Sequence, residues 1–332
     1  MLSYGFTSLA YLPKSIYNFF VFLLKKRCER NLLNPDFGSY RNSKVIGWGF
    51  PYSNTYKKYL NELFKNEKFY PKSIVINKKF VLSNHQLVDS FIKDGRYIIK
   101  YDKGHGGKNI YIVKNIEEII QKINNSNWIL QQVIEPSLYN KHKFDLRIYH
   151  FILRYENKYY NILSKVGFCK TSAFEYNPNS SSVYGFLTNV LFNNKKSKVP
   201  HMFEFFNFMN KFEKNKEKRD LLIKNIYDVI RNYSKILVGR KEENRNKFKI
   251  NQNLKAQLMI YGPDIILDKE RKPYLLETNC NPGFLFKGEP IYYKQKLMLS
   301  ELLNNIVIPI MGNKNVNLDN YKGNLLFIER IK

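Results

Sequence analysis

Asp264, Glu277 and Asn279 carry the most legible chemistry in this chain of 332 residues. Asp264 lies in the apolar run Leu258–Leu267, and Glu277 and Asn279 directly follow a second, Tyr274–Leu276; the polar stretch Asp268–Pro273 joins the runs, the pattern of two strands and their turn. With Leu267 opposite Tyr274, the antiparallel register sets Asp264 opposite Glu277, and Asn279 falls on the same face as Glu277. Directly opposed like charges destabilise a sheet. Either these acids face water at a sheet edge or they share a cation. Hard oxygen donors of this kind suit magnesium, usually shared with a phosphate. Pro263 invites a bulge in the first strand.

Two further stretches could handle phosphate. Around one expected hairpin turn, Lys100, Lys103 and Lys108 are interleaved with Gly104, Gly106 and Gly107. Glycines let backbone N–H groups approach phosphate oxygens, although the same glycines also serve a turn for conformational reasons alone. The stretch is not a Walker loop, which needs glycine at Asp102 and Ser or Thr at Asn109. In Lys143-Phe-Asp145-Leu-Arg147 charge alternates with apolar residues, so a strand projects three charges to one face. Buried, they need a charged ligand; exposed, they need only water. A pair of cations flanking an acid can stabilise the charge that develops as a phosphoryl group moves. The five histidines show no metal-ligand spacing, and no nucleophile elbow is present.

These groups require a scaffold of strands. Lys44–Phe50 and Ser73–Ile76 read as strands, with a helix over Asn54–Phe64 between them. Tyr97–Lys100 and Asn109–Val113 form a hairpin, a helix follows on Ile116, Ile119, Ile120 and Ile123, and Trp128–Ile134 returns as a strand. Residues 143–155 and 159–168 form two longer strands about Asn157. Between Lys195 and Lys255 there are 17 basic and seven acidic residues, crossed by a helix with Leu222, Ile226, Val229, Ile230, Tyr233 and Leu237 on one face. Asn193–Lys198 and Lys241–Asn253 read as loops. The fold class is α+β.

Lysine and arginine number 55 against 28 acids, a net charge of +27, so the surface attracts anionic partners: nucleic acid, an anionic membrane or an acidic protein tail. Three cysteines without C-x-x-C spacing argue against a disulfide framework or zinc site and for a reducing, cytoplasmic setting. The apolar run Ile16–Leu24 is too short to span a bilayer. Residues 16–27 suit a packed helix or a peripheral membrane contact.

The order of these motifs resembles the ATP-grasp enzymes, and among them the tubulin-tyrosine ligase-like amino-acid ligases, over about residues 45–300. The resemblance implies two α+β lobes clasping ATP beside a small N-terminal α/β lobe. It also implies boundaries: an apolar segment 1–40, a small lobe 41–95, a central lobe 96–140, a C-terminal lobe 141–310 with a basic insertion 195–255, and a tail 311–332. Lys57 matches an early family lysine before a helix. Lys100 and the loop of Gly104, Gly106, Gly107 and Lys108 match the phosphate-binding lysine and its flexible cover. Gln131, Gln132, Val133 and Ile134 resemble the hinge that holds adenine, with Gln131 at the base. By the same resemblance Lys143 and Asp145 bind nucleotide, and Arg147 lies at the reacting centre. Thr188 and Asn189 fall in a Leu-Thr-Asn element, and Asp264, Glu277 and Asn279 match the magnesium ligands. Lys170 stands where the family has an arginine for the incoming amino acid or acyl-phosphate, and lysine lacks the two-pronged grip on a carboxylate.

The implied activity is ligation of an amino acid (glutamate, glycine or tyrosine) to a protein carboxylate, with ATP and magnesium as cofactors and a free amino acid and an acidic, tubulin-like tail as partners. Two other readings stay open. One is a covalent nucleotidyltransferase using Lys100, although Lys103 interrupts the Lys-x-Asp-Gly pattern. The other is a nucleic-acid-binding protein on an ATP-grasp scaffold, although the aromatics are spread without a stacking platform.

Overall fold

Two sheets, the smaller antiparallel and the larger antiparallel apart from one short parallel strand, divide the work of the chain. The computed structural model describes residues 46–48, 57–93, 95–104, 107–180, 183–188, 202–243, 256–279, 282, 291–311, 315–319 and 321–331. The expected packed helix or membrane contact at 16–27 lies outside them. The smaller sheet has the order β2-β5-β3-β4, from Ser73–Ile76 (β2), Tyr97–Tyr101 (β3), Ile110–Val113 (β4) and Trp128–Gln132 (β5). Its strands are short and apolar, and Ile99, Leu130 and Val113 are buried against helix α4, Ile116–Lys122. Asn115 caps that helix by accepting from the Glu118 N–H at 2.9 Å, satisfying a donor the helix itself leaves open.

The larger sheet is built on three long strands: β7 (His142–Tyr155), β8 (Lys158–Thr171) and β10 (Ala256–Leu267). Glu156 and Asn157 join the first two with φ of 49° and 63°, the left-handed turn geometry that suits the twist of paired strands. β7 lies between β10 and β8. The far edge of β10 is shared by β1 (Ile46–Trp48), which runs parallel, and β11 (Pro273–Asn279), which runs antiparallel. The far edge of β8 is shared by β9 (Met202–Glu204) and β12 (Leu326–Arg330). Every residue of β10 is buried, as expected for a strand paired on both edges.

Several expectations are revised. Leu267 lies opposite Pro273, not Tyr274; a one-residue shift between Asp264 and Ile265 then restores the register that sets Asp264 opposite Glu277. A bulge absorbs the extra residue. Residues 241–243, expected in a loop, end the helix Lys216–Glu243 (α6); 244–253 lie outside the described residues. As expected for the basic stretch 195–255, the apolar face of α6 packs into the core, with Ile226, Ile230 and Tyr233 fully buried, while Lys214, Lys216 and Lys218 are exposed. Each such aliphatic side chain contributes roughly 1.5–3 kcal/mol. Within 311–332, expected as a tail, β12 pairs with Tyr160–Ser164. Among the described residues no helix is long and apolar enough to cross a membrane.

The sheets are joined through 133–137. The Val133 N–H donates to the Arg96 carbonyl at 2.8 Å, the Ser137 N–H to that of Leu267 at 2.8 Å, and the Lys269 N–H to that of Glu135 at 3.0 Å. The turn between β10 and β11 is therefore strapped to the connection that leaves the small sheet.

Candidate active site

Central placement in the sheet forces the charges of β7 to find partners. Lys143 and Asp145 are 3% and 7% exposed, which is costly for isolated ions. Lys143 Nζ donates to Asp145 Oδ1 at 2.7 Å, and Thr188 Oγ1 donates to Asp145 Oδ2. The Lys143 ammonium also lies 5.2 Å from the centre of the Phe186 ring. Two residues on, Arg147 grips Asp264 with Nε to Oδ1 at 2.7 Å and Nη2 to Oδ2 at 2.5 Å. Lys170, opposite Asp145 in the β7–β8 register, donates to the same Asp264 Oδ2 at 2.9 Å. Burial alone would raise the Asp264 carboxyl, but Arg147 and Lys170 outweigh it and hold the carboxyl at about 2. The sequence places these residues on separate strands; only the pairing of β7 with both β8 and β10 brings them together.

Close packing fixes Arg147. A Cβ on Gly167 would lie 2.5 Å from the Arg147 carbonyl oxygen, and one on Gly262 would lie 2.5 Å from Pro282 Cβ and 3.3 Å from Arg147 Cδ. The guanidinium lies 5.9 Å from the Phe168 ring centre. Tyr149 continues the Lys143, Asp145, Arg147 alternation and was not singled out from sequence. It is fully buried, and its hydroxyl accepts from Gln295 Nε2 at 2.5 Å.

Glu277 faces Asp264 across the β10–β11 pair, and Asn279 Nδ2 lies 3.5 Å from Glu277 Oε1. Arg147 and Lys170 already supply Asp264 with counter-charge, so the opposition of two carboxylates does not by itself demand a cation. Among the described residues no group of three His, Cys, Asp or Glu side chains could hold a metal. The set depends instead on the Asn279 amide oxygen beside two carboxylates. Three hard oxygen donors on adjoining strands suit magnesium by type, although both Asp264 oxygens are engaged by Arg147 and Lys170.

One lysine of the small sheet, Lys100, lies within electrostatic reach of Glu277, Lys143 and Asp145. Lys100 Nζ donates to Gln131 Oε1 at 2.7 Å, and burial lowers its amine to about 8, with Glu277 and Asp145 opposing the fall and Lys57 and Lys143 adding to it. Lys57 Nζ donates to the Gly104 carbonyl at 2.8 Å, and the Lys58 N–H to Asp102 Oδ1 at 2.8 Å, so the first helix, Lys57–Phe64 (α1), braces the glycine turn. Gly107 has φ of 79° and Lys108 is exposed. Gly106 and Asn189 lie outside the described residues. In the expected hinge the Gln131 amide oxygen is committed to Lys100. The N–H groups of Gln132 and Val133 donate to the carbonyls of Lys72 and Arg96, both at 2.8 Å, and Ile134 is half-buried.

The profile of the Tubulin-tyrosine ligase family matches residues 41–316. The chain belongs to this family. Its α+β fold is accordingly the ATP-grasp fold of the tubulin-tyrosine ligase family. The chain is 23% identical over 74% of its length to a probable tubulin polyglutamylase, ttll-9, of Caenorhabditis elegans, covering 60% of that relative. It is 27% identical over 69% of its length to tubulin polyglutamylase TTLL11 of Mus musculus, covering 34% of it. With tubulin glycylase 3F of Tetrahymena thermophila it shares 28% identity over 56% of its length and 20% of that relative. The chain thus spans at most 60% of the length of these three relatives.

Proposed function

We propose that this chain is an ATP-dependent carboxylate–amine ligase that adds an amino acid to a protein carboxylate, the acceptor being an acidic tail of the tubulin kind. The observation that carries the reading is the convergence of Arg147 and Lys170 on Asp264, directly across from Glu277, whose charge also acts on the amine of Lys100. Family membership and the relatives named above as polyglutamylases and a glycylase support it.

An oxygen of the acceptor carboxylate attacks the terminal phosphorus of ATP, and ADP leaves. The amine of a free amino acid then attacks the acyl carbon, inorganic phosphate leaves, and the nitrogen loses a proton as the amide forms. Lys100, Lys57 and the Gly104–Lys108 turn hold phosphate oxygens. Lys143, Asp145 and Thr188 hold the nucleoside end, beside the segment from Gln131 to Ile134. Arg147 and Lys170 place positive charge where the carboxylate becomes an acyl-phosphate. Asp264, Glu277 and Asn279 would hold magnesium, which when bound neutralises the polyphosphate. The net charge of +27 steers an acidic acceptor to the cleft, with affinity falling as salt rises. The work is cytoplasmic, in keeping with Cys169 as a buried free thiol.

Mass spectrometry of an acidic-tail peptide after incubation with ATP, magnesium and mixed amino acids tests the reading. A mass increment identifies the donor among glutamate, glycine and tyrosine; an unmodified peptide in all conditions counts against ligation. The lowered amine of Lys100 also favours a covalent nucleotidyltransferase. A lysine-linked adenylate formed from labelled ATP without acceptor would select that reading instead.

A further inference from the structure

Arg96 was not singled out by any motif, yet it holds three parts of the chain at once. Its carbonyl accepts from Val133, at the start of the connection between the sheets. Its Nη1 donates to Glu135 Oε1 at 3.3 Å and to the Tyr176 hydroxyl at 2.9 Å, and Nη2 reaches the Ser180 carbonyl at 3.5 Å. Tyr176 in turn donates to Glu135 Oε2 at 2.8 Å. One guanidinium from the small sheet thereby grips both the connection and the segment that follows β8.

The described parts of that segment, 172–180 and 183–188, have little regular structure to hold them. The segment folds on itself: a Cβ on Gly185 would run into the Glu175 carbonyl oxygen. Its root is tied to β7 by the Ser172 N–H to the Lys143 carbonyl at 2.8 Å and the Tyr176 N–H to that of Lys141 at 2.9 Å. Its far side meets the small sheet at Arg96. From Tyr176 the contacts run inward, the ring lying 6.4 Å from that of Phe186, whose face takes Lys143. The segment ends with Thr188 on Asp145. The same residues wall a cavity of about 250 Å³ lined by Arg96, Phe174, Tyr176, Tyr184 and Phe186.

We propose that Arg96, Glu135 and Tyr176 are positioning residues for the nucleotide. They act through the 172–188 segment, locking Phe186 and Thr188 in place over Lys143 and Asp145. The inference rests on the assignment of Lys143, Asp145 and Thr188 to the nucleoside end. None of the three reaches the Arg147–Asp264 cluster by a described hydrogen bond, so they act on nucleotide affinity and not on the reacting atoms.

Tyr176→Phe removes both hydroxyl bonds and keeps the ring. We expect the Kd and KM for ATP to rise about 5- to 10-fold, with kcat changed less than about 2-fold and the melting temperature nearly unchanged. Arg96→Ala should raise the ATP KM at least as much, and the double variant should add little, since both changes break one network. Direct binding of ATP with magnesium, followed by calorimetry on the full chain, separates the outcomes. Wild-type binding with unaltered affinity in Tyr176→Phe overturns the inference alone, as does a fall in kcat at constant KM. Failure of the wild type to bind ATP overturns the site assignment and this inference together.

Discussion

Arg147 and Asp264 lie directly opposite each other on β7 and β10 and are joined by two hydrogen bonds, Nε to Oδ1 at 2.7 Å and Nη2 to Oδ2 at 2.5 Å. The planar guanidinium fits the carboxylate at both ends, a geometry that lysine cannot reproduce. Lys170 adds a second cation to Oδ2, so Asp264 balances two positive charges, one buried and one half-buried.

Asp264→Asn should therefore destabilise the protein strongly, by about 3–5 kcal/mol, because it leaves both cations without their anion. Glu277→Gln should behave differently. It removes one of two opposed carboxylates, so denaturant midpoints should hold within about 0.5 kcal/mol while ATP turnover is lost. Equal destabilisation by the two changes, or normal turnover in Glu277→Gln, would contradict the division of roles.

Lys100 sets a dependence on pH. Burial lowers its amine to about 8, and a polyphosphate favours the charged form, so ATP binding should take up protons. Affinity should weaken as pH rises through about 8. Calorimetric titrations near pH 8 in buffers of different ionisation enthalpy measure the uptake; none would count against a phosphate role. In the folded protein the depressed amine costs stability below about 8, and the cost fades as pH rises toward the ordinary lysine value. Lys100→Met should accordingly raise the melting temperature at neutral pH while abolishing ATP binding.

A second titration lies in the core. His150 is fully buried, with Nδ1 at 2.7 Å from the Tyr233 hydroxyl and Nε2 at 2.7 Å from Asn161 Oδ1, and burial lowers its imidazole to about 4. The stability this contributes is complete above the ordinary value of 6.5 and is lost as pH falls from there to about 4. Its ceiling is about 3 kcal/mol. Asp264 adds a later loss, between 3.8 and about 2. Chemical denaturation from pH 7 to pH 3 should show the first decline in the wild type and a flatter curve in His150→Gln.

Gly167→Ala should impair activity through the backbone of β7. The new methyl would meet the Arg147 carbonyl oxygen at 2.5 Å, and a strand paired on both edges yields poorly. A loss of about 1–3 kcal/mol, with a drop in kcat exceeding any rise in the ATP KM, is the expected pattern. An unchanged melting temperature would show that β8 can move.

The residues themselves announce the strands, because local periodicity is a local property. Alternating charge marks Lys143, Asp145 and Arg147 for one face, an apolar run marks β10, and Asn157 supplies a turn. A regular hairpin read from Leu267 opposite Tyr274 reaches Asp264 opposite Glu277, but the turn itself pairs Leu267 with Pro273, and the pairing of the two acids holds through the bulge between Asp264 and Ile265. What spacing could not decide is which distant charges meet. Arg147 and Asp264 are 117 positions apart, and Arg96 and Tyr176 are 80 apart. Their contact depends on the order of strands in the large sheet and on the connection that ties the small sheet to it. The bulge beside Asp264 and the place of β12 at the sheet edge belong to the same class. Burial then determines the charge states: outside this packing Asp264, Lys100 and His150 are an ordinary acid, amine and imidazole. Cations brought in from other strands move the first to about 2 against the effect of burial, and exclusion of water moves the second to about 8 and the third to about 4.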